Sequence, residues 1–368
     1  MPGAKPPFRA DHVGSLLRPP QLIEARKRHF AGEIDAGALK AVEDDAIRAA
    51  VAMQEALGLK AVTDGEYRRS FWHLDFIGGL DGVDLVRREE GAQFHDRRLR
   101  PTFAEVTGKV DYTSGHMVDH FAFLKSEATV TPKMTIPSPS AVHFRGGREA
   151  ISKLAYPDLD AFWDDLGAAY GKVIRAFGKA GCTYLQLDEV FIAYLCDPRM
   201  REEARRLGGD PDQLPAIYAR MINRALRDRP EGMTVAMHLC RGNFRSSWVA
   251  DGGYEPVAEL LFNEIGVDAY FMEYDSPRAG SFEPLRYLPR GKHVVLGLIT
   301  SKTGELESAA EVKRRIDEAA RFAPLDQLAV SPQCGFASTE EGNLLTYDQQ
   351  RAKLGLVVDV ARDVWGDL

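Results

Sequence analysis

Cysteine is scarce in this sequence, with four among 368 residues. So few cysteines in so long a chain exclude the dense disulfide framework of small secreted domains. Each is therefore either a buried packing residue or a residue used in chemistry. Cys182 and Cys196 flank a strand-like segment and are interpreted as packing residues. Cys240 and Cys334 lie beside a histidine or within a turn, so packing alone does not explain them.

The sequence also lacks long apolar runs and an excess of basic residues. No stretch approaches the roughly eighteen apolar residues of a membrane span, and the first residues contain no secretion signal. The formal net charge is −7, which gives no electrostatic reason to expect a nucleic acid partner. We therefore expect a cytoplasmic protein that contacts neither membrane nor nucleic acid. Whether it forms a homo-oligomer stays open at this point.

Eight short β-rich runs alternate with longer amphipathic stretches. The predicted strands are residues 10–14, 59–64, 133–136, 184–188, 233–238, 268–273, 293–299 and 327–332. The helical patterns include residues 38–57, 159–180, 214–227, 309–322 and 346–364. This alternation is typical of parallel βαβ units, and eight strands close a (β/α)8 barrel. The sequence predicts an α/β fold of the TIM-barrel class.

The segment from about residue 79 to 131 interrupts the alternation and is rich in charge. It is interpreted as an inserted hairpin or lid after the second strand. No repeat or linker marks a domain boundary, so residues 1–368 are expected to form a single barrel domain. An open doubly wound sheet is the alternative, but it would usually bring a Gly-rich phosphate loop after the first strand. Val13-Gly14-Ser15 is no such loop.

A polar or reactive residue follows the end of each predicted strand. In chain order these are Ser15, Glu66, Ser138, Asp188 with Glu189, His238 with Cys240, Glu273, Thr300 and Cys334. In a barrel, catalytic groups lie at the carboxyl ends of several strands. The sequence thus predicts that these side chains surround one site.

Two of these residues, His238 and Cys240, are separated by one position. In an extended strand they point to the same side, so both can contact one metal ion. Imidazole and thiolate are ligands that suit zinc. Cys334 follows the last strand in a Pro-Gln-Cys-Gly turn, and a closed barrel brings the fifth and eighth strand ends together. Glu273 is the best candidate for a fourth, displaceable ligand, which would make the zinc catalytic rather than structural.

Six motifs support a family resemblance. They are Val13-Gly14-Ser15, Asp64-Gly65-Glu66, Leu185-Gln186-Leu187-Asp188-Glu189, His238-Leu239-Cys240, Phe271-Met272-Glu273 and Ser331-Pro332-Gln333-Cys334-Gly335. In this order and spacing the chain resembles the catalytic C-terminal barrel of cobalamin-independent methionine synthase, and more closely its short single-domain relatives. The resemblance covers nearly the whole chain apart from the insertion. Uroporphyrinogen decarboxylase shares the architecture but has no use for these zinc ligands.

The resemblance implies two sets of site residues. The implied zinc ligands are His238, Cys240, Glu273 and Cys334. The residues implied to bind the amino and carboxylate groups of homocysteine are Ser15, Glu66 and Asp188. Carboxylates accept well from an ammonium group, and the turn at Ser15 offers a hydroxyl and an N–H to a carboxylate. The alternative role of Asp188 is an N-cap of the next helix.

The chain departs from the family pattern on the folate side. The full-length family enzyme carries an additional N-terminal barrel that helps bind a polyglutamylated folate, and this sequence has no such half. Pro139 stands where the family has a folate-stacking tryptophan, and proline lacks the flat face that a pterin needs. Thr300 stands where the family has its catalytic histidine, and threonine does not shuttle protons near neutral pH. No catalytic residue is therefore assigned.

The leading hypothesis is a Zn²⁺-dependent S-methyltransferase that converts homocysteine or a similar small thiol to methionine or a thioether. The methyl donor is unknown and is expected to be simpler than folate polyglutamate, for instance a methylated corrinoid protein or a methylated sulfur compound. A second hypothesis is epoxide:coenzyme M transfer, with the sulfonate bound by Arg18, Arg68 and Arg69. Surface salt bridging is the alternative for these arginines. A third hypothesis is a non-catalytic zinc- or thiol-binding barrel, which Thr300 favours.

Overall fold

A computed structural model describes residues 5–87, 92–93, 98–99 and 102–366, and its central element is a curled parallel sheet. The strands are β1 (Ala61–Val62), β2 (Asp81–Arg87), β3 (Ala92–Gln93), β4 (Arg98–Leu99), β5 (Thr102–Asp111), β6 (Thr131–Pro137), β7 (Tyr184–Glu189), β8 (Thr234–Leu239), β9 (Ala269–Glu273), β10 (His293–Ile299) and β11 (Leu328–Pro332). Within the described residues, seven of them form the sheet in the order β1-β6-β7-β8-β9-β10-β11. All neighbours in this sheet pair in parallel.

Helices precede, connect and follow the strands of this sheet. They are α1 (Pro20–Phe30), α2 (Ala36–Leu57), α3 (Leu74–Ile77), α4 (Val118–Glu127), α5 (Leu159–Lys179), α6 (Phe191–Tyr194), α7 (Pro198–Arg206), α8 (Leu214–Leu226), α9 (Glu255–Glu264), α10 (Ala309–Ala319) and α11 (Tyr347–Trp365). Because helices cover a parallel sheet, its strands are buried along almost their whole length. The α/β fold with a curled parallel sheet is thus confirmed, and none of the helices in the described ranges is long and apolar enough to cross a membrane.

Seven of the eight predicted strands are present, but the first one is wrong as a regular strand. Residues 10–14 make a single parallel bridge, from Ala10 to Val330 of β11. The ladder stops there because Asp11 turns its carboxylate onto the N–H of His12 and Gly14 adopts a φ of 141°. On the opposite side, the Thr63 hydroxyl donates to the Gly14 carbonyl at 2.6 Å. The N-terminal segment thus contacts both edges of the seven-stranded half-barrel.

The concave side of the sheet is filled largely by small and aromatic side chains. Ala61, Ala236, Ala269 and Ala329 belong to this inner cluster together with Phe271. The alanines leave room for the long side chain of Lys133, whose Nζ lies 4.0 Å from the centre of the Phe271 ring. Lys133 Nζ also donates to Asp11 Oδ1 at 3.1 Å, and neither side chain is exposed. A buried ion pair therefore ties the N-terminal segment to β6.

The segment predicted as an insertion contains an antiparallel pair and a helix. Strands β2 and β5 pair through residues 81–87 and 102–111, and β3 pairs with β4. The chain then forms α4 and enters β6. Residues 88–91, 94–97, 100 and 101 of this segment lie outside the described residues. Its interpretation as a lid stays a prediction.

Candidate functional site

A small cavity opens at the carboxyl ends of the strands. Six of the residues predicted for the site line it: Ser15, Glu66, Asp188, His238, Cys240 and Cys334. The strand register explains part of this grouping, because Asp188 at the end of β7 lies directly beside His238 of β8. Residues from the start, middle and end of the chain therefore meet in one cavity.

Four potential metal ligands cluster beside this cavity. The ligand atoms of His238, Cys240, Glu273 and Cys334 all lie within 4.8 Å of one another, and all four residues are buried. Tetrahedral zinc with bonds of about 2.0–2.3 Å separates its ligands by roughly 3.3–3.8 Å. The Sγ atoms of Cys240 and Cys334 are 3.5 Å apart, which is within that range. The four side chains offer nitrogen, sulfur and oxygen donors of the kinds that zinc accepts.

His238 provides a direct sign that a ligand belongs here. His238 is 2% exposed, and its ring nitrogens have no hydrogen-bond partner apart from the neighbouring thiol of Cys334. A buried polar atom without a partner costs about 1–3 kcal/mol. A metal bond to one of these nitrogens would remove that cost at one of the two atoms.

The two cysteines form a coupled pair. Contact with Cys240 lowers the pKa of the Cys334 thiol well below its usual value, against the effect of burial. The same contact, together with burial, raises the pKa of Cys240. The two sulfurs therefore titrate as a pair and not independently.

Glu273 is held by two arginines of the neighbouring loops. The backbone N–H of Arg241 donates to Oε1 at 3.2 Å, and Nη2 of Arg278 lies 3.5 Å from Oε2. Glu273 itself is fully buried. The carboxylate therefore has partners of its own besides any metal, as a displaceable ligand would need.

Ser15 lies in a tight contact between the two ends of the chain. Its Oγ accepts from the N–H of Ala337 at 3.3 Å, and its carbonyl accepts from Phe336. A Cβ at Gly335 would lie 2.0 Å from Ser15 Oγ, so only glycine fits there. A Cβ at Gly14 would lie 2.7 Å from Thr135. Gly335 thus allows its backbone to approach the Ser15 hydroxyl closely, and Gly14 leaves room for the Thr135 side chain.

Glu66 lies in a strained turn that directs its carboxylate into the cavity. Its φ is +61°, a left-handed conformation that non-glycine residues adopt at a cost. The Asp64 carboxylate stabilises the turn by accepting from Glu66 N–H at 2.8 Å. Glu66 Oε1 accepts from the Thr135 hydroxyl at 2.8 Å, and Arg69 lies 3.5 Å from Oε2.

Asp188 and Glu189 divide two roles at the end of β7. Glu189 Oε1 accepts from the N–H groups of Phe191 and Ile192 at 2.8 and 2.9 Å, so Glu189 is the residue that caps α6. Asp188 does not act as the cap. Its Oδ1 accepts from Gln186 Nε2 at 2.7 Å, and its side chain lines the cavity.

Burial raises the pKa of both cavity carboxyls. It raises the pKa of Asp188 to about 7, with a further increase from the nearby Glu66. Burial also raises the pKa of Glu66, although Arg69 opposes the change. Two neighbouring buried acidic groups favour a cation between them.

Thr300 and the Ser138–Pro139 turn contribute little to the cavity. None of the three belongs to its described lining. The Thr300 hydroxyl accepts from the N–H of Lys302, and its own N–H donates to Glu307. Ser138 and Pro139 are buried at the start of a short 3-10 helix.

The three arginines considered for sulfonate binding are already occupied. Arg18 donates to the backbone carbonyls of Glu66, Arg69, Ala337 and Thr339. Arg68 forms ion pairs with Glu43 and Asp44. Arg69 donates to Thr135 and faces Glu66. Because all three arginines already bind groups of the protein, none of them is available for the sulfonate that the second hypothesis requires.

Sequence reasoning missed a second group of lining residues. Arg145, Tyr194, Asn243 and Ser338 also line the cavity. Arg145 and Tyr194 follow the ends of β6 and β7 by several residues, so a search restricted to strand ends does not find them. Trp72, an aromatic residue six positions after Glu66, lines the cavity as well.

Comparisons with known proteins agree with this geometry. Residues 8–363 match the family described as the cobalamin-independent synthase, catalytic domain. The chain is 52% identical to the uncharacterized protein YxjH of Bacillus subtilis, over 98% of this chain and 96% of that protein. It is 24% identical to a methionine synthase of Pyrococcus abyssi, over 88% of this chain and 84% of that protein.

Solved structures give the same result. A Listeria monocytogenes protein assigned provisionally as a vitamin-B12 independent methionine synthase superposes with a TM-score of 0.78 at 40% identity, over 99% of this chain and 100% of that one. A B12-independent methionine synthase from Shewanella sp. W3-18-1, solved in complex with selenomethionine, superposes with a TM-score of 0.70 at 22% identity. That alignment covers 97% of each chain.

Proposed function

Because this chain belongs to the family of cobalamin-independent synthase catalytic domains, we propose that it transfers a methyl group to the sulfur of homocysteine or a similar small thiol. Membership in this family supports methyltransferase activity for this chain. The observation that carries the finer proposal is the convergence of four zinc-type ligands with three polar residues suited to an amino acid. Metal and amino acid sites in one cavity are what a thiol-bearing amino acid requires.

Zinc is the metal that we propose for the cluster. Two thiolates, one imidazole and one carboxylate form a tetrahedral donor set that this ion accepts. His238, Cys240, Cys334 and Glu273 would hold it. When bound, zinc lowers the pKa of a coordinated thiol and so provides a nucleophilic sulfur at neutral pH.

Glu273 is proposed as the metal ligand that the substrate sulfur would displace. Arg278 and the Arg241 N–H already contact its two oxygens, so the carboxylate keeps partners after it moves. The two cysteines and the histidine are stronger ligands for zinc and would remain. The exchange would replace an oxygen by a sulfur without leaving a buried charge unpaired.

Glu66, Asp188 and Ser15 are proposed to bind the amino acid part of the substrate. An ammonium group between Glu66 and Asp188 would compensate their charges and lower the pKa that burial has raised. The Ser15 hydroxyl, which accepts from Ala337 N–H, keeps its proton free to donate to a carboxylate. The substrate thiol would then extend toward the metal ligands.

In the proposed reaction the substrate sulfur attacks the methyl carbon of the donor in line. A sulfur–carbon bond forms while the bond between that carbon and the donor breaks, and the thiol proton leaves the site. Pro139 and Thr300 provide no pterin-stacking face and no histidine, so the proposed donor is simpler than folate polyglutamate. A methylated corrinoid protein or a methylated sulfur compound would meet that description.

Metal content and a thiol panel test the proposal. The purified protein should contain one zinc ion per chain, and X-ray absorption should detect an oxygen neighbour replaced by sulfur when homocysteine is added. Homoserine, which lacks the thiol, is the matched control and should leave the zinc spectrum unchanged. Methionine formation should follow with methylcobalamin or a methylsulfonium donor. An unchanged zinc spectrum with homocysteine, or turnover with coenzyme M and an epoxide instead, would contradict the proposal.

A further inference from the structure

The cavity has a second polar side that the amino acid site does not use. Arg145, Tyr194 and Asn243 line it: Arg145 and Asn243 lie in the loops that follow β6 and β8, and Tyr194 is the last residue of α6, after β7. Arg145 Nε and Asn243 Oδ1 are buried atoms without a hydrogen-bond partner, and the Tyr194 hydroxyl lies within hydrogen-bonding reach of the Arg145 side chain. Two unpaired atoms in one cavity indicate a polar ligand, because each costs about 1–3 kcal/mol when left unpaired.

Arg145 is held in place by aromatic packing rather than by an acid. Its Cζ lies 5.7 Å from the centre of the Phe191 ring, which stacks on Phe144 at 4.6 Å. None of the ion pairs found among the described residues includes Arg145. Among the described residues that line the cavity, Arg145 provides the positive charge, and the acidic residues are Glu66 and Asp188. An oriented guanidinium without an acidic partner is suited to a carboxylate or phosphate.

Tyr194 places a second donor beside it. The ring is 2% exposed and packs edge-on against Phe144 and Phe191. Burial raises the pKa of its hydroxyl, which therefore keeps its proton, while the nearby Arg145 opposes that shift. A Cβ at Gly242 would lie 2.8 Å from the hydroxyl, so the glycine keeps space open between Tyr194 and Cys240.

We propose that Arg145 and Tyr194 bind an anionic group, a carboxylate or a phosphate, on the methyl donor. This inference rests on the proposed function, in which Ser15, Glu66 and Asp188 already bind the acceptor. The Tyr194 hydroxyl adjoins the loop of Cys240, so a donor anchored there lies next to the reacting sulfur. Trp72 lines the same cavity and provides an apolar face for the donor.

Direct binding of small anions tests the site without turnover. Acetate and inorganic phosphate are titrated by calorimetry into the zinc-loaded full-length protein saturated with homocysteine. Arg145→Met should weaken binding of the preferred anion at least about tenfold, and Tyr194→Phe about threefold. Arg290→Met removes an exposed arginine and should change nothing. Equal anion affinity in Arg145→Met and wild type would overturn the proposal.

Kinetics then separates the donor from the acceptor. Dimethylsulfoniopropionate and trimethylsulfonium are matched donors that differ in a carboxylate. Wild type should prefer the carboxylate-bearing donor by about tenfold or more in kcat/KM, and Arg145→Met should lose that preference with an unchanged homocysteine KM. A rise in the homocysteine KM would place Arg145 in the acceptor site and overturn the proposal. Anion binding at Arg145 in a protein that fails to bind homocysteine would instead contradict the proposed function alone.

Discussion

Asp188 and Glu189 are neighbours in sequence, yet their carboxylates bind different partners and have different roles. Glu189 accepts from two N–H groups of α6 and from the Ser140 hydroxyl at 2.6 Å, whereas Asp188 faces the cavity with Gln186 as its partner. The period of two in an extended strand separates them, because successive side chains point to opposite faces. One carboxylate stabilises the fold, and the other is available for a ligand.

Separate substitutions of these two residues should therefore change different properties. Loss of the Glu189 carboxylate should lower stability, and loss of the Asp188 charge should weaken substrate binding. Glu189→Ala should lower the free energy of unfolding by about 1–2 kcal/mol, because the cap of α6 is lost. Asp188→Asn should leave stability nearly unchanged and weaken homocysteine binding about tenfold or more, because a charge-assisted hydrogen bond is worth about 1.5–3 kcal/mol. Denaturant unfolding and calorimetry measure the two effects. Loss of stability in Asp188→Asn, with normal stability in Glu189→Ala, would reverse the assignment.

Cys334→Ser should remove most of the bound zinc and abolish methyl transfer. The hydroxyl of serine is a poor replacement for a thiolate as a ligand of zinc. Cys182→Ala is the matched control. Burial raises the pKa of Cys182 to about 12, so this thiol is inert and its removal should leave zinc content intact. Metal analysis of both variants decides the point, and wild-type zinc content in Cys334→Ser would refute it.

A methyl group at Gly335 should damage substrate binding. The new Cβ would overlap Ser15 Oγ at 2.0 Å, so the turn that presents the hydroxyl must shift. We expect homocysteine affinity to fall about tenfold or more in Gly335→Ala. Gly355→Ala in α11 meets no atom closer than 3.8 Å and should stabilise the protein by about 0.5–1 kcal/mol. Unaltered homocysteine affinity in Gly335→Ala would exclude a role for this contact.

Acid should destabilise the fold through buried neutral histidines. Burial lowers the pKa of His12 and of His143 to about 4. In the unfolded chain these histidines bind protons as the pH falls below about 6.5, whereas in the folded protein they bind them only near pH 4. Their full contribution to the free energy of unfolding is therefore present near neutral pH, and it is lost as the pH falls from about 6.5 to 4. Each histidine contributes at most roughly 3 kcal/mol.

In His143→Gln, the free energy of unfolding should fall less steeply as the pH is lowered, because one titrating group is removed. His143 contacts the Tyr218 hydroxyl at 2.8 Å and makes no contact with the proposed metal ligands, so metal loss does not enter the difference. Unfolding free energies at pH 7, 6 and 5 for both proteins provide the comparison. An identical slope in the variant and the wild type would show that His143 is not responsible.

The residues that carry regular periodicity could be predicted from the sequence. Buried runs such as 184–188 and 293–299 predict parallel strands because both faces of such strands are covered. The four candidate metal ligands were recognised because they lie at or just after the ends of such strands. Residues 10–14 were misjudged because side-chain contacts of Asp11 and the φ of Gly14, which hydrophobic patterning does not reveal, end the ladder. Arg145 was missed because its place in the cavity depends on packing against Phe191.

The contact between Ser15 and Ala337 joins residues that are 322 positions apart. On a ribosome, the early half of the chain can form strands and helices, but the cavity lacks its closing turn until Cys334 and Gly335 have emerged. Loop-closure entropy must be overcome before such distant contacts contribute, so this region is expected to form late in folding. A nascent chain would therefore bring its four candidate metal ligands together only near the end of synthesis, which limits the time in which an incomplete thiol site is exposed.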